Sequence, residues 1–123
     1  MNESKYFLLT MITENQTQKI KAIKLAELLQ NKLGKEWEVL ATEKYDKFEN
    51  AYKIELKRAV LEKEQSELNH LAISLTDRLV SPWLVYFDRD QNSIELIYNN
   101  NEHTRKRSVE FQVIKWAQLI IAD

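Results

Sequence analysis

Hydrophobic and polar positions alternate along this chain in two different rhythms. Residues 6–12, Tyr6-Phe7-Leu8-Leu9-Thr10-Met11-Ile12, are an almost unbroken apolar run. The run is too short for a free-standing helix and suits a strand buried on both faces. From residue 16 to 33 the period becomes helical. Ala22, Leu25, Ala26, Leu29 and Leu33 share one face, and Ile20, Ile23 and Leu28 widen the stripe. Thr13, Asn15 and Thr17 supply capping side chains ahead of it, and Thr13 with Gln16 has the spacing of a capping box. Gly34 follows directly, where a C′ residue with positive φ is wanted.

Residues 37–42 read as a second strand, and 43–50 as a charged connection that carries Tyr45 and Phe48. Over residues 51–60, Tyr52, Ile54 and Leu56 alternate with Lys53, Glu55 and Lys57, so this strand has one wet face. A second amphipathic helix is predicted over 62–80. Its stripe is Leu68, Leu71, Ala72, Leu75 and Leu79, with Glu62 and Glu64 near its start and Arg78 near its end, as the helix dipole favours. Ser81-Pro82 stops it, because the residue before proline avoids the helical region.

Residues 83–87 form a strand, 88–92 a turn and 93–98 the returning hairpin partner. Residues 99–107 are a polar, basic loop. Ser108 stands as cap to a last helix over 109–122, where Val113, Trp116, Ala117, Ile120 and Ile121 have helical spacing. The β-branched residues of this segment also admit a strand beginning near Val109.

The order is therefore β-α-β-β-α-β-β-α in one domain spanning 1–123. The expected fold is α+β, a ferredoxin-like split β-α-β sheet of about five mainly antiparallel strands with three helices. In this expectation the first and third strands are central and parallel, with two helices on one face. The hairpin strand extends an edge, and the last helix packs at that edge or on the second face. The wet residues Lys53, Glu55 and Lys57 leave the second face partly open, while the double-sided first strand calls for partial cover by that helix, a dimer or a partner.

Composition removes several functions. The chain has 123 residues, one Gly, one Pro and no Cys, and a net charge of −1 from 18 basic and 19 acidic residues. One glycine cannot build phosphate-cradling or dinucleotide loops in the usual way. Without cysteine there are no disulfides, thiolate nucleophiles or thiolate metal sites. The interspersed charge leaves only a local patch for nucleic acid. No apolar run reaches the length of a membrane-spanning helix, and no secretory leader is read at the N-terminus. A cytoplasmic protein is the expectation.

Candidate chemistry is sparse. His70 and His103 are isolated, and two lone histidines do not form a zinc site. Asp88, Asp90 and Asn92 open like a calcium loop, but Ser93 and Asn99 stand where that motif needs Gly and Glu, so a hairpin turn is read there. No serine lies in a nucleophile motif. Arg58 falls on the apolar side of its strand, where it is expected to run out to solvent beside Glu62. Neither a metal nor a cofactor is expected.

Two surface features remain. Tyr45 and Phe48 sit among charges, the composition of a protein-binding hot spot, and serve equally as hairpin anchors folded onto the sheet. Arg105, Lys106 and Arg107 form the most basic stretch, enough to neutralise two or three phosphates. The leading expectation is a small non-enzymatic protein-binding module of the bacterial cytosol. Its most concrete version is a toxin-neutralising immunity protein or stoichiometric inhibitor, with Tyr45, Phe48, Asp88 and Asp90 as contacts. The acidic turn would face a basic partner such as a nuclease toxin. The alternative is a nucleic-acid-associated or regulatory protein, as a homodimer, using Arg105, Lys106 and Arg107. A third is a small-ligand sensor or dimeric ferredoxin-like enzyme with its pocket between sheet and helices.

Overall fold

A computed structural model describes residues 5–60 and 64–123. Among them are strand β1 (Lys5–Thr13), helix α1 (Lys19–Leu33), strands β2 (Glu38–Lys44) and β3 (Tyr52–Val60) and helix α2 (Gln65–Thr76). There follow strands β4 (Val80–Ser81), β5 (Leu84–Asp88), β6 (Ser93–Asn99) and β7 (Arg105–Lys106), a 3-10 turn at Val109–Val113 and strand β8 (Ile114–Ala122). The main sheet has six strands in the order β2-β3-β1-β8-β6-β5, and every neighbouring pair is antiparallel. β4 and β7 form a separate two-stranded ribbon.

This overturns the ferredoxin-like expectation, although the α+β class holds. β1 and β3 are adjacent, but they run antiparallel rather than parallel. The predicted third helix is absent: 109–113 is a 3-10 turn and 114–122 is β8, inserted at the sheet centre between β1 and β6. The helical spacing of Val113, Trp116, Ala117, Ile120 and Ile121 arises because β8 carries apolar residues on both faces, so it shows no period-two polarity. Isoleucine and valine favour the pleated surface. Ser108 caps no helix; its hydroxyl hydrogen-bonds the Glu110 carboxylate, which holds that carboxyl below its usual range.

Register identifies the two faces. Leu9 lies opposite Leu56 and Leu119, and Met11 opposite Ile54 and Ala117, while Leu119 and Ala117 lie opposite Leu96 and Tyr98. These residues are fully buried under the apolar stripes of α1 (Ala22, Leu25, Ala26, Leu29, Leu33) and α2 (Leu68, Ala72, Leu75). α1 packs over β2 and β3, and α2 over β6. Burying each Leu, Ile or Met side chain among them contributes about 1.5–3 kcal/mol against the entropy of ordering the chain. Trp37 is buried just ahead of β2 and stacks on Phe7 at 6.0 Å.

Helix ends differ from the capping expectations. α1 begins at Lys19 with Gln18 as N-cap and no side-chain cap. Thr13 belongs to β1 instead: its buried hydroxyl accepts the Tyr52 N–H at 3.1 Å and donates to the Tyr52 carbonyl at 3.3 Å. Gly34 has φ 128° and returns its N–H to the Gln30 carbonyl at 2.8 Å, the role expected of a C′ glycine. α2 ends at Thr76, before the Ser81-Pro82 stop, and Leu79 continues the core from an irregular turn. Arg78 Nη1 donates to the orphan Leu33 carbonyl at 3.3 Å, tying the ends of the two helices together. Arg58 lies on the core side of β3 and is partly buried; its expected neighbour Glu62 is outside the described residues.

Candidate functional site

Among the described residues, the face of the sheet away from α1 and α2 carries no helix. Tyr6, Leu8, Thr10 and Ile12 of β1 stand there beside Trp116, Gln118 and Ile120 of β8 and Lys53, Glu55 and Lys57 of β3. The aliphatic stem of Lys57 brings its ammonium to 4.3 Å from the Tyr6 ring centroid. One cross-strand row runs Lys53–Ile12–Trp116–Asn99 over β3, β1, β8 and β6.

The β2–β3 hairpin folds over the end of that row. Tyr45 and Phe48 pack on each other with ring centroids 5.8 Å apart, and Lys115 Nζ lies 4.4 Å from the Phe48 ring. The Tyr45 N–H donates to the Ala51 carbonyl at 2.9 Å, closing the hairpin behind the two rings. Between the hairpin and the sheet is an open cavity of about 500 Å³ lined by Ile12, Tyr45, Phe48, Lys53, Lys115 and Trp116, with Thr10, Asn99 and Asn100. The two aromatics of the connection are thus anchors over the sheet, with Phe48 still half exposed.

A second feature lies at the far edge. Every side chain from Leu84 to Phe87 in β5 is 52–55% exposed. Leu84 and Tyr86 stand on the open face, while Val85 and Phe87 point to the helical side, where Val85 shares a cavity with Ile73 and Thr76 of α2. β5 pairs with β6 alone and in unbroken register, so its outer row of backbone N–H and C=O groups has no strand partner among the described residues. Trp83 anchors its start, packing on Tyr98 at 5.6 Å and donating its indole N–H to the Val80 carbonyl at 2.8 Å. Asp88 builds the turn at its other end: Oδ1 accepts the N–H groups of Asp90 (3.0 Å) and Gln91 (3.4 Å). Asn92, with φ 52°, completes the reversal. Asp90 is exposed beyond it.

The sequence-predicted contacts therefore fall in two places. Tyr45 and Phe48 overhang the open face beside the β2 edge, and Asp88 and Asp90 cap the β5 edge at the opposite side of the sheet. The basic stretch is partly engaged. Arg105 and Lys106 form β7, and Lys106 Nζ donates to the Thr104 hydroxyl at 3.2 Å. Arg107 pairs with Asp77 through both carboxylate oxygens at 3.1 Å and donates from Nε to the Asp77 carbonyl at 3.0 Å. Arg105 is the exposed cation of the three without such a tie among the described residues.

The sequence places a strand at 83–87, but none of its apolar residues stood among the expected contacts. Its signal was present as an unbroken Leu-Val-Tyr-Phe run with no charge, but such a run reads equally as a buried strand. His70 and His103 are both exposed, and among the described residues no three His, Asp or Glu side chains are grouped to hold a metal ion. Among the described residues no helix is long and apolar enough to cross a membrane. Comparison with protein-family models, with curated proteins and with solved structures gave no match.

Proposed function

We propose that this chain is a protein-binding module that takes up a strand of its partner along the β5 edge. The observation that carries the reading is the run Leu84-Val85-Tyr86-Phe87, more than half exposed on both faces at a sheet edge whose outer backbone groups have no strand beside them among the described residues. An extended segment added there gains main-chain hydrogen bonds for affinity and the four apolar side chains for specificity. Natural proteins blunt such edges unless something covers them. The acidic turn at Asp88 and Asp90 adjoins the strand and would favour a partner with basic groups flanking its strand. A stoichiometric inhibitor of the immunity-protein kind is the most concrete version of this reading.

The test is a photo-crosslinking side chain introduced at Tyr86 and, separately, at Leu40 on the opposite edge, with the chain expressed in its native host. The expected result is one discrete adduct from position 86, none from position 40, and loss of that adduct when Val85→Lys is added. Equal adducts from both edges, or none from position 86, would reject the assignment.

A further inference from the structure

The cavity beneath the β2–β3 hairpin lies away from β5 and is not used by the proposed strand addition. Its floor is the row Lys53–Ile12–Trp116–Asn99, and its roof is the Tyr45–Phe48 pair. A volume of about 500 Å³ is in the range of small-molecule sites. Aromatic and aliphatic side chains from the hairpin and from the sheet line it together, which suits a planar apolar body.

Its polar groups are mainly donors. Lys53 and Lys115 line it, and among the described residues no carboxylate does. Among the described residues neither lysine forms an ion pair, although Glu43 lies opposite Lys53 in the β2–β3 register and Glu55 lies in the next row of the open face. Asn100 Oδ1 already accepts from the Thr104 hydroxyl at 2.8 Å and from the Tyr98 hydroxyl at 3.4 Å. Its amide N–H groups and the side-chain amide of Asn99 are further polar groups on that wall. Thr10 adds a hydroxyl. An aromatic slot bordered by two ammonium groups and an amide donor matches a planar ring bearing an anionic group.

We infer that this cavity binds a small aromatic carboxylate, its ring between Phe48 and Trp116 and its carboxylate toward Lys53, Lys115 and Asn100. The lysines set the charge preference and the rings set the shape.

The probe is naphthoate, with naphthamide as its neutral counterpart, titrated into the full chain by calorimetry and by the indole N–H resonances. The expected result is saturable binding of naphthoate with the Trp116 indole shifted, and affinity at least about tenfold lower for naphthamide. The Lys53→Gln/Lys115→Gln variant should lose a comparable factor for naphthoate while keeping its Tm, because both side chains reach solvent. Phe48→Ala should weaken acid and amide alike. The inference is overturned if naphthoate does not saturate, if acid and amide bind equally, if the lysine variant binds as the parent does, or if the Trp37 or Trp83 indole shifts in place of Trp116.

Discussion

The two edges of the sheet are built by opposite rules. At one edge β2 carries Glu38, Glu43 and Lys44, its pairing with β3 is broken by a register shift between Val39 and Ala41, and α1 packs against it. Charge, a bulge and a covering helix are the usual defences against edge-to-edge pairing. At the other edge β5 has neither charge nor bulge through Leu84–Phe87: its register is regular and its side chains are apolar and more than half exposed. One molecule thus contains both a guarded and an unguarded edge. On the reading proposed above, the bare edge is the one to which a partner strand would add.

The largest expected contrast separates the sheet centre from that bare edge. Leu119→Ala removes a fully buried side chain of β8 and should cost about 2–5 kcal/mol in urea unfolding. Phe87→Ala on β5 should change the stability of the free chain by no more than about 0.5 kcal/mol. A large loss from Phe87→Ala would mean that β5 serves the core, and the comparison would collapse.

Next comes a contrast between the edges in binding. Tyr86→Lys places a gatekeeper charge on the bare strand and should weaken a partner captured through β5 about 100-fold, or about 2.7 kcal/mol. Leu40→Lys on the guarded edge should leave that affinity unchanged. Equal losses at both positions would remove the distinction between the edges.

A smaller effect concerns what fixes the approach to β5. The Arg107–Asp77 pair and the Arg107 N–H to Leu79 carbonyl bond (2.9 Å) fasten the segment between α2 and β5 to β7. The ion pair is well exposed, so Arg107→Ala should cost at most about 1 kcal/mol, and less in high salt. A loss that grows with salt would show that the contact acts through packing rather than charge.

The smallest effect lies in alkaline solution. Burial raises the Tyr98 hydroxyl above its ordinary value of 10.0, opposed by the Thr104 side chain beside it. The folded state then holds this proton more tightly than the unfolded chain does. The contribution is fully present below the unfolded value and is lost as pH rises from near 10.0 through the folded value. Tyr98→Phe should flatten that part of the stability curve and leave neutral pH behaviour alike. A curve that falls as steeply in the variant would assign the alkaline loss to another group.

Much of the local structure was legible because one face of each element is wet. The stripe on α1 and the Gly34 terminus follow from helical period and positive φ, and β3 follows from Tyr52, Ile54 and Leu56 alternating with lysines and Glu55. The β5–β6 hairpin was readable from its Asp- and Asn-rich turn. The third helix failed at the point where that contrast vanishes. β8 is apolar on both sides, and 3.6-residue spacing can be traced through any such run. Thr13 read as a helix cap because its hydroxyl suits either role; only the nearby Tyr52 backbone shows which one it takes.

By itself, then, the sequence determined the class of the fold, the faces of its amphipathic elements and the absence of glycine-rich or cysteine-based chemistry. These depend on neighbours a few residues apart, where period, caps and turn residues act. Tertiary structure alone decided that residues 114–122 run between β1 and β6, that Tyr45 and Phe48 close over a cavity, and that β5 is an edge. Those are matters of long-range pairing. A strand such as Leu-Val-Tyr-Phe has the same local signature whether one neighbour or two lie beside it, and only the completed strand order leaves its outer side open.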